Sequence, residues 1–190
     1  LKTLAKGMFY AMLRKRSLHY FVLADNGGSG KTLLMNAFVR RFGSLGTSAV
    51  DLDNLSRSGF DRGNAMVGLV KKRFAFSDEA AKLTEKQARA LNAISTGAMQ
   101  TIRLGGGVSF TSWIQATLFV STNSGTALPD TDSTDRRAVF VSLGSKPVDL
   151  FGAVAKHYGD DMTFGSFLAD GRTIDGLVAW GASAFLAEQE

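Results

Sequence analysis

The stretch "LADNGGSGKTLL", residues 23–34, constrains the fold more than any other part of this sequence. A short apolar run of β-favouring residues at 19–24 leads into it. Residues 31–43 follow it with apolar side chains at helical spacing, two arginines and a closing glycine. A buried strand that passes through a tight glycine turn directly into a helix is typical of sheets in which strands alternate with helices. The order therefore predicts an α/β fold whose first strand is buried on both faces.

The rest of the sequence continues this alternation. Two β-capable arms surround the glycines at 105–107, which indicates a hairpin with a flexible tip. The predicted elements are helices at 3–16, 31–43 and 85–95, strands at 19–24, 73–77, 116–123 and 136–143, a hairpin at 99–110, and helical segments from 148 to 190. Strands separated by helices favour a largely parallel sheet. We expect Trp113 and Trp180 to belong to the core, since most aromatic residues here lie inside apolar runs.

The composition limits the class of protein. Of 190 residues, 45% are hydrophobic and two are proline, so we expect one compact domain. Because there is no cysteine, disulfides and thiolate zinc sites are excluded, which fits a cytoplasmic location; no apolar run is long enough to span a membrane. A net charge of +5 and a pI near 9.6 favour an anionic partner such as nucleic acid or nucleotide. Since the chain begins at Leu1, we expect it to be part of a longer protein.

The glycine loop has the residue types that bind a polyphosphate. Backbone N–H groups of such a turn converge on phosphate oxygens, Lys31 can neutralise the β- and γ-phosphates, and the Thr32 hydroxyl can bind Mg²⁺. Asp25 stands where the template G-x-x-x-x-G-K-[ST] has its first glycine, and its carboxylate would repel a polyphosphate. The alternative is a glycine-rich turn with an exposed lysine, but the strand before the loop and the helix after it favour a nucleotide site. The residues predicted to bind the nucleotide are Asn26, Gly27, Gly28, Ser29, Gly30, Lys31, Thr32 and Leu33.

Three other positions follow or precede apolar β runs. Asp78 and Glu79 come directly after the run at 73–77, at the strand end where α/β sheets bind ligands. Asp78 can hold Mg²⁺ through water, and Glu79 can orient or deprotonate the attacking water. Asn123 closes the run at 116–123, where its amide can bond a γ-phosphate and a water. Each also has a simpler interpretation, because an acidic pair can start a helix and an asparagine can form a turn.

Two adjacent arginines, Arg136 and Arg137, precede the last predicted strand. Guanidinium groups can stabilise the charge that develops on a transferring phosphoryl group, even one held by a neighbouring subunit. The alternative is a solvated arginine pair without such a role.

In order and spacing these segments resemble the helicase domain of superfamily 3, an AAA+ group, and most closely its phage and plasmid primase-helicase branch. "NGGSGKT" is similar to that branch's Walker A, "FAFSDE" to its Walker B, "STGAMQTIR" to its B-prime segment, "LFVSTN" to its motif C and "DRRAVFV" to its arginine-finger strand. The resemblance covers residues 18–140. It implies a P-loop NTPase (AAA+-like) α/β fold, with a mainly parallel central sheet flanked by helices and a C-terminal helical portion.

The resemblance also implies an activity and a set of roles. ATP and Mg²⁺ are the implied cofactors, Lys31 and Thr32 their ligands, Asp78 and Glu79 the groups that serve magnesium and water, and Asn123 the sensor. Arg137 is the implied finger, with Arg136 the second candidate, and the finger acts across a homo-hexameric ring. The implied division of the chain is an N-terminal helix at residues 1–17, the ATPase and helicase core at 18–146, and a helical segment of the same domain at 147–190. Primase or other replication domains would flank it.

The hairpin tip at 104–107 is the implied grip on single-stranded or forked DNA, with Arg103, Gly105 and Gly106 as contacts. The tip itself carries no basic residue, which leaves Arg103 as the candidate for a phosphate contact. Other departures from the family pattern are Asp25 for glycine, Ser29 for asparagine, Asn92 for lysine and Ala98 for an acidic residue.

Three hypotheses follow. The first is an ATP-hydrolysing DNA helicase motor of a viral or plasmid replication protein. The second, motivated by the bare tip, is an AAA+ initiator, loader or partner-binding module that does not unwind DNA. A small-molecule P-loop kinase is the third, and it is disfavoured because a kinase has less need of a water-activating glutamate.

Overall fold

The computed structural model describes residues 2–13, 18–25, 28–80, 83–123, 136–143, 166 and 170–187. Within these residues the helices are α1 (Lys2–Met12), α2 (Lys31–Gly46), α3 (Leu52–Ser56), α4 (Phe60–Val67), α5 (Glu85–Ser95) and α6 (Gly171–Leu186). The strands are β1 (Tyr20–Ala24), β2 (Thr47–Ala49), β3 (Phe74–Ala80), β4 (Met99–Arg103), β5 (Ser109–Trp113), β6 (Thr117–Thr122) and β7 (Ala138–Val141).

Five of the strands form one sheet in the order β2-β3-β6-β1-β7, and every neighbouring pair in it is parallel. This confirms the predicted α/β fold with a mainly parallel central sheet flanked by helices. The order of the strands in the sheet differs from their order along the chain. Because β6 lies between β1 and β3, the carboxyl ends of these three strands are neighbours, and so are the segments that follow them.

Alternate side chains of the central strands build two cores, one on each face of the sheet. Phe21 and Leu23 of β1 face one side, where Phe38 of α2 and Phe119 of β6 also lie. The rings of Phe21 and Phe119 stack on each other, with centroids 5.1 Å apart. The neighbouring positions Tyr20 and Val22 face the other side, together with apolar residues of α3, α4 and α5. The apolar run at 19–24 is therefore continuous because both faces of β1 are covered.

Helices α1 and α6 pack against each other with very small separation at one point. A Cβ atom at Gly181 of α6 would lie 2.1 Å from the carbonyl oxygen of Ala5, so only glycine allows this approach. An ion pair between Arg41 and Asp175, at 2.9 Å, also links α6 to α2. Asp170 caps α6 by accepting a bond from the Arg172 N–H, and the Arg172 side chain, which bonds the same carboxylate, lowers the pKa of Asp170.

The hairpin β4–β5 is a separate two-stranded antiparallel sheet, as predicted. Its tip is one 3₁₀ turn at Gly105–Gly107, where Gly106 and Gly107 have φ of 72° and 78°. The prediction for the tryptophans was wrong: Trp113 on β5 is 53% exposed and Trp180 on α6 is 46% exposed. A two-stranded sheet that stands apart from the main one leaves much of its surface to solvent, and this is where Trp113 lies.

Some boundaries differ from the predicted ones. The helix after the glycine loop was expected to end at Gly43, where φ of 61° and ψ of −176° break the regular geometry, but a further turn carries α2 to Gly46. The short elements β2, α3 and α4 were not predicted. Residues 14–16 of the first predicted helix and 148–165 of the C-terminal helical segments lie outside the described residues. In the described part of the chain, no helix combines the length and apolarity needed to cross a membrane.

Candidate nucleotide-binding site

The glycine loop joins the carboxyl end of β1 to the amino end of α2. Gly28 has a φ of 72°, and Gly30, which precedes the first residue of α2, has a φ of 84° and ψ of 17°. Both conformations are left-handed and cost glycine little. Gly30 has no side chain to cap the helix, so N–H groups of the first turn stay available for an anion. The Ser29 hydroxyl oxygen is buried and has no partner among the described residues. This cradle fits a phosphate group.

Lys31 begins α2 and is 5% exposed. Its ammonium group donates a hydrogen bond to the Asp25 carboxylate, which is 12% exposed, and the two form an ion pair. The Asp25 N–H lies 3.4 Å from the carbonyl oxygen of Thr122, at the end of the neighbouring strand β6. The residue that replaces the first glycine of the template therefore contacts the lysine that the template assigns to phosphate.

Thr32 and Asp78 meet across the gap between α2 and β3. The Thr32 hydroxyl donates to the Asp78 carboxylate over 3.2 Å, although 46 residues separate them in sequence. Two oxygens bound to one Mg²⁺ at adjacent octahedral positions lie about 3 Å apart, since Mg–O distances are roughly 2.1 Å. The donor set and its spacing thus fit Mg²⁺, with the hydroxyl and the carboxylate on the same side of the cradle.

The sheet order brings Asn123 towards these groups. Asn123 directly follows β6, which lies between β1 and β3, and it is exposed at the same edge of the sheet as the glycine loop. The pairing of β3 with β6 shifts register between Ser77 and Ala80, so Asp78 and Glu79 fall in an irregularity of the strand. The backbone of Glu79 is thereby at the same edge, while its side chain lies outside the described part of the structure, as do Asn26 and Gly27.

Arg136 and Arg137 lie at the amino ends of the parallel strands, opposite the carboxyl ends where the glycine loop lies. They precede β7, which runs parallel to β1, and the Arg137 carbonyl accepts a hydrogen bond of 2.9 Å from the N–H of Tyr20, at the start of β1. The full length of β1, about 13 Å for four steps of roughly 3.3 Å, separates this point from the end that carries the glycine loop. The structure does not bring these arginines to the chain's own lysine and threonine.

The hairpin residues are also apart from the cradle. Arg103, Gly105 and Gly106 are exposed at the end of β4 and in the tip. Helix α4 supports the base of the tip very closely, because a Cβ atom at Gly63 would lie 1.7 Å from the Arg103 carbonyl oxygen. Of the loop residues, Leu33 is 42% exposed on the first turn of α2 and points away from the core.

The sequence reasoning missed a basic groove of about 690 Å³ between the segment that joins α3 to α4 and one side of α5. Its charged lining residues are Arg57, Asp61, Arg62, Lys86 and Arg89. Two of the four cations form ion pairs with carboxylates four residues away in sequence, namely Arg57 with Asp61 and Arg89 with Glu85. Arg62 and Lys86 form no hydrogen bond or ion pair within the described residues. No pattern in the sequence marked the groove, since its cations come from separate helices.

The family model described as "Family of unknown function (DUF5906)" matches residues 23–137. This range includes the glycine loop, Asp78, Asn123 and both arginines. A comparison with curated proteins found no match.

Solved structures share the fold at low sequence identity. The C-terminal region of NrS-1, in an apo form, matches with a TM-score of 0.63 at 15% identity over 95% of this chain and 40% of that one. A JCV helicase with a bound small molecule matches with a TM-score of 0.53 at 11% identity over 98% of this chain and 56% of that one. The chain thus spans about half or less of the length of the structures that it resembles.

Proposed function

The chain belongs to DUF5906, a family of unknown function, and we propose that it is the ATP-hydrolysing DNA helicase motor of a viral or plasmid replication protein. The observation that carries the proposal is the meeting of Thr32 and Asp78 beside the phosphate cradle. The packing of α2 against β3 brings the two elements together, but an exposed hydroxyl and an exposed carboxylate contribute no buried apolar surface to it. A shared Mg²⁺ that accompanies the nucleotide gives them one.

Each residue then has a part in hydrolysis. The N–H groups at the start of α2 and the Lys31 ammonium hold the phosphates, Thr32 and Asp78 hold Mg²⁺, and Glu79 orients and deprotonates the attacking water. Asn123 donates its amide to the γ-phosphate or the water without changing the charge of the site. Bound Mg²⁺ supplies neutralisation of the charge that develops on the phosphoryl oxygens.

The opposite position of the arginines is part of the proposal. Arg137 lies at the opposite end of the strands from the glycine loop, so as a finger it would complete the site of another subunit. Arg136 is the second candidate. A finger role at this position acts only between subunits, and for the assembly we propose a homo-hexameric ring with single-stranded DNA in its centre. Arg103 and the glycine tip contact the DNA there, and the basic groove supplies further phosphate contacts.

The test is hydrolysis of ATP by purified protein. We expect steady phosphate release without any added acceptor, and a fall of about 100-fold or more in Lys31→Ala and in Glu79→Gln, because each removes a group that acts in the transition state. Lys71→Asn is the matched control: it removes an exposed lysine whose φ of 63° asparagine tolerates. A wild-type protein that neither binds nor hydrolyses ATP when correctly folded would rule out the proposal.

A nucleotide-dependent loader or partner-binding module is the second candidate function, and the bare hairpin tip favours it. The described tip, Gly105–Gly107, offers backbone groups but no cation to a DNA strand. Strand separation on a forked duplex, with ATP hydrolysis as the positive control, distinguishes the two. Robust unwinding excludes the module, whereas hydrolysis without unwinding by the assembled protein favours it.

A further inference from the structure

We infer that Asp25 competes with the nucleotide for Lys31 and so sets the affinity of the site. This inference rests on the proposed function, because it assigns a role within the same site. The template residue at this position is glycine, which cannot bind a lysine. Here the side chain is an aspartate whose carboxylate accepts a hydrogen bond from the ammonium group that the phosphates need.

The burial of the pair makes the competition matter. Lys31 is 5% exposed and Asp25 is 12% exposed, so water screens their attraction poorly. The backbone of Asp25 is tied to the neighbouring strand, since its N–H donates to the Thr122 carbonyl oxygen over 3.4 Å. An exposed pair of the same composition would exchange freely with solvent and contribute little.

The ammonium group cannot serve both partners without loss. It has three N–H donors, but a phosphate oxygen that approaches it also approaches the Asp25 carboxylate, and the two anions repel each other. A bound nucleotide must therefore displace the carboxylate or tolerate its charge. Displacement reduces the observed affinity by the fraction of molecules whose lysine is available, and coexistence reduces it through the repulsion between the two anions.

A purely structural role for Asp25 predicts the opposite effect on binding. If the ion pair only fixed the loop in the shape that receives phosphate, its loss would loosen the cradle and weaken binding. Competition predicts tighter binding together with a less stable protein, because the variant loses the pair but frees the lysine. The two roles are thus separated by the sign of the change in affinity.

The experiment measures the Kd of the non-hydrolysable analogue AMP-PNP with Mg²⁺, and the melting temperature with and without it. We expect Asp25→Asn, which removes the charge at nearly constant size, to lower the Kd by about tenfold. It should melt at a lower temperature alone and show a larger increase with the analogue. Asp25→Gly, which restores the template residue and suits a glycine turn, should tighten binding in the same direction.

Asp78→Asn is the matched control. It removes the same charge from the same site but leaves Lys31 paired, and it should weaken the binding of the Mg²⁺ complex. If Asp25→Asn and Asp25→Gly both fold and bind the analogue no more tightly than the wild type, the inference is overturned while the proposed function stands. If the wild type does not bind the analogue and Lys31→Ala makes no difference, the proposed function itself is wrong.

Discussion

Two pairs of residues give the site its character at the scale of single side chains. Lys31 with Asp25, and Thr32 with Asp78, join consecutive helix positions to two different carboxylates. The first pair is buried and the second is exposed, so the two pairs should respond differently to an approaching ligand. A buried ammonium–carboxylate pair resists exchange, whereas an exposed hydroxyl–carboxylate pair can readily admit a hydrated cation.

The second pair leads to a prediction about magnesium. We expect Asp78→Asn to raise the Mg²⁺ concentration needed for half-maximal ATP hydrolysis by about tenfold or more, because a neutral amide orders the hydrated cation less well than a carboxylate. Titrating Mg²⁺ at saturating ATP measures it. Asp175→Asn removes an exposed carboxylate that pairs with Arg41 of α2, and it should leave the titration unchanged. An unchanged Mg²⁺ requirement in Asp78→Asn would mean that this carboxylate does not contribute to Mg²⁺ binding.

At the scale of elements, the secondary structure that could be predicted was that of segments with a long apolar pattern. The strands β1, β3, β6 and β7, the hairpin and α5 all occur where apolar period and turn residues placed them. The three-residue β2 and the five-residue α3 are too short to display a period, so they could not be predicted.

Contacts between residues far apart in the sequence could not be predicted either. The partner of Asp25 is a helix residue whose side chain folds back over the loop, and the repulsion expected from the sequence took no account of it. The basic groove likewise forms only when α3, α4 and α5 pack together. Local patterns establish which residue types are present, but tertiary packing decides which of them meet.

The groove makes an element-scale prediction about nucleic acid. Arg62 and Lys86 are the groove cations without an ion pair among the described residues. The double variant Arg62→Ala with Lys86→Ala should weaken single-stranded DNA binding and reduce the slope of log affinity against log salt by about 1.4, or roughly 0.7 for each lost phosphate contact. Fluorescence anisotropy at several salt concentrations measures both. The double variant Arg40→Ala with Lys71→Asn removes the same charge from exposed positions outside the groove lining. Equal losses in the two double variants would mean that net charge alone, and not the groove, attracts DNA.

At the scale of the whole molecule, the positions of the glycine loop and the arginines bear on how one subunit could contact the next. The glycine loop and the two arginines lie at opposite edges of one parallel sheet, because parallel strands place all their carboxyl ends on one side and all their amino ends on the other. Under the proposed function, a single copy therefore carries the phosphate cradle at one end of the parallel strands and the candidate finger at the other. A head-to-tail arrangement that joins unlike edges closes into a ring when its rotation allows it.

The shared site predicts how mixed assemblies behave. Arg137→Ala should fold and bind nucleotide, since its side chain is remote from the loop of its own chain, yet it should lose ATP hydrolysis by a factor of about 10³ or more. Mixed with wild type at a concentration where light scattering shows assembly, it should lower hydrolysis more steeply than its fraction, because each variant subunit disables a neighbour's site. Arg40→Ala, at an exposed position on α2, should at most dilute the activity in proportion to its own. If Arg137→Ala hydrolyses ATP at the wild-type rate when assembled, Arg136→Ala becomes the decisive variant, and normal rates in both would mean that each subunit completes its site alone.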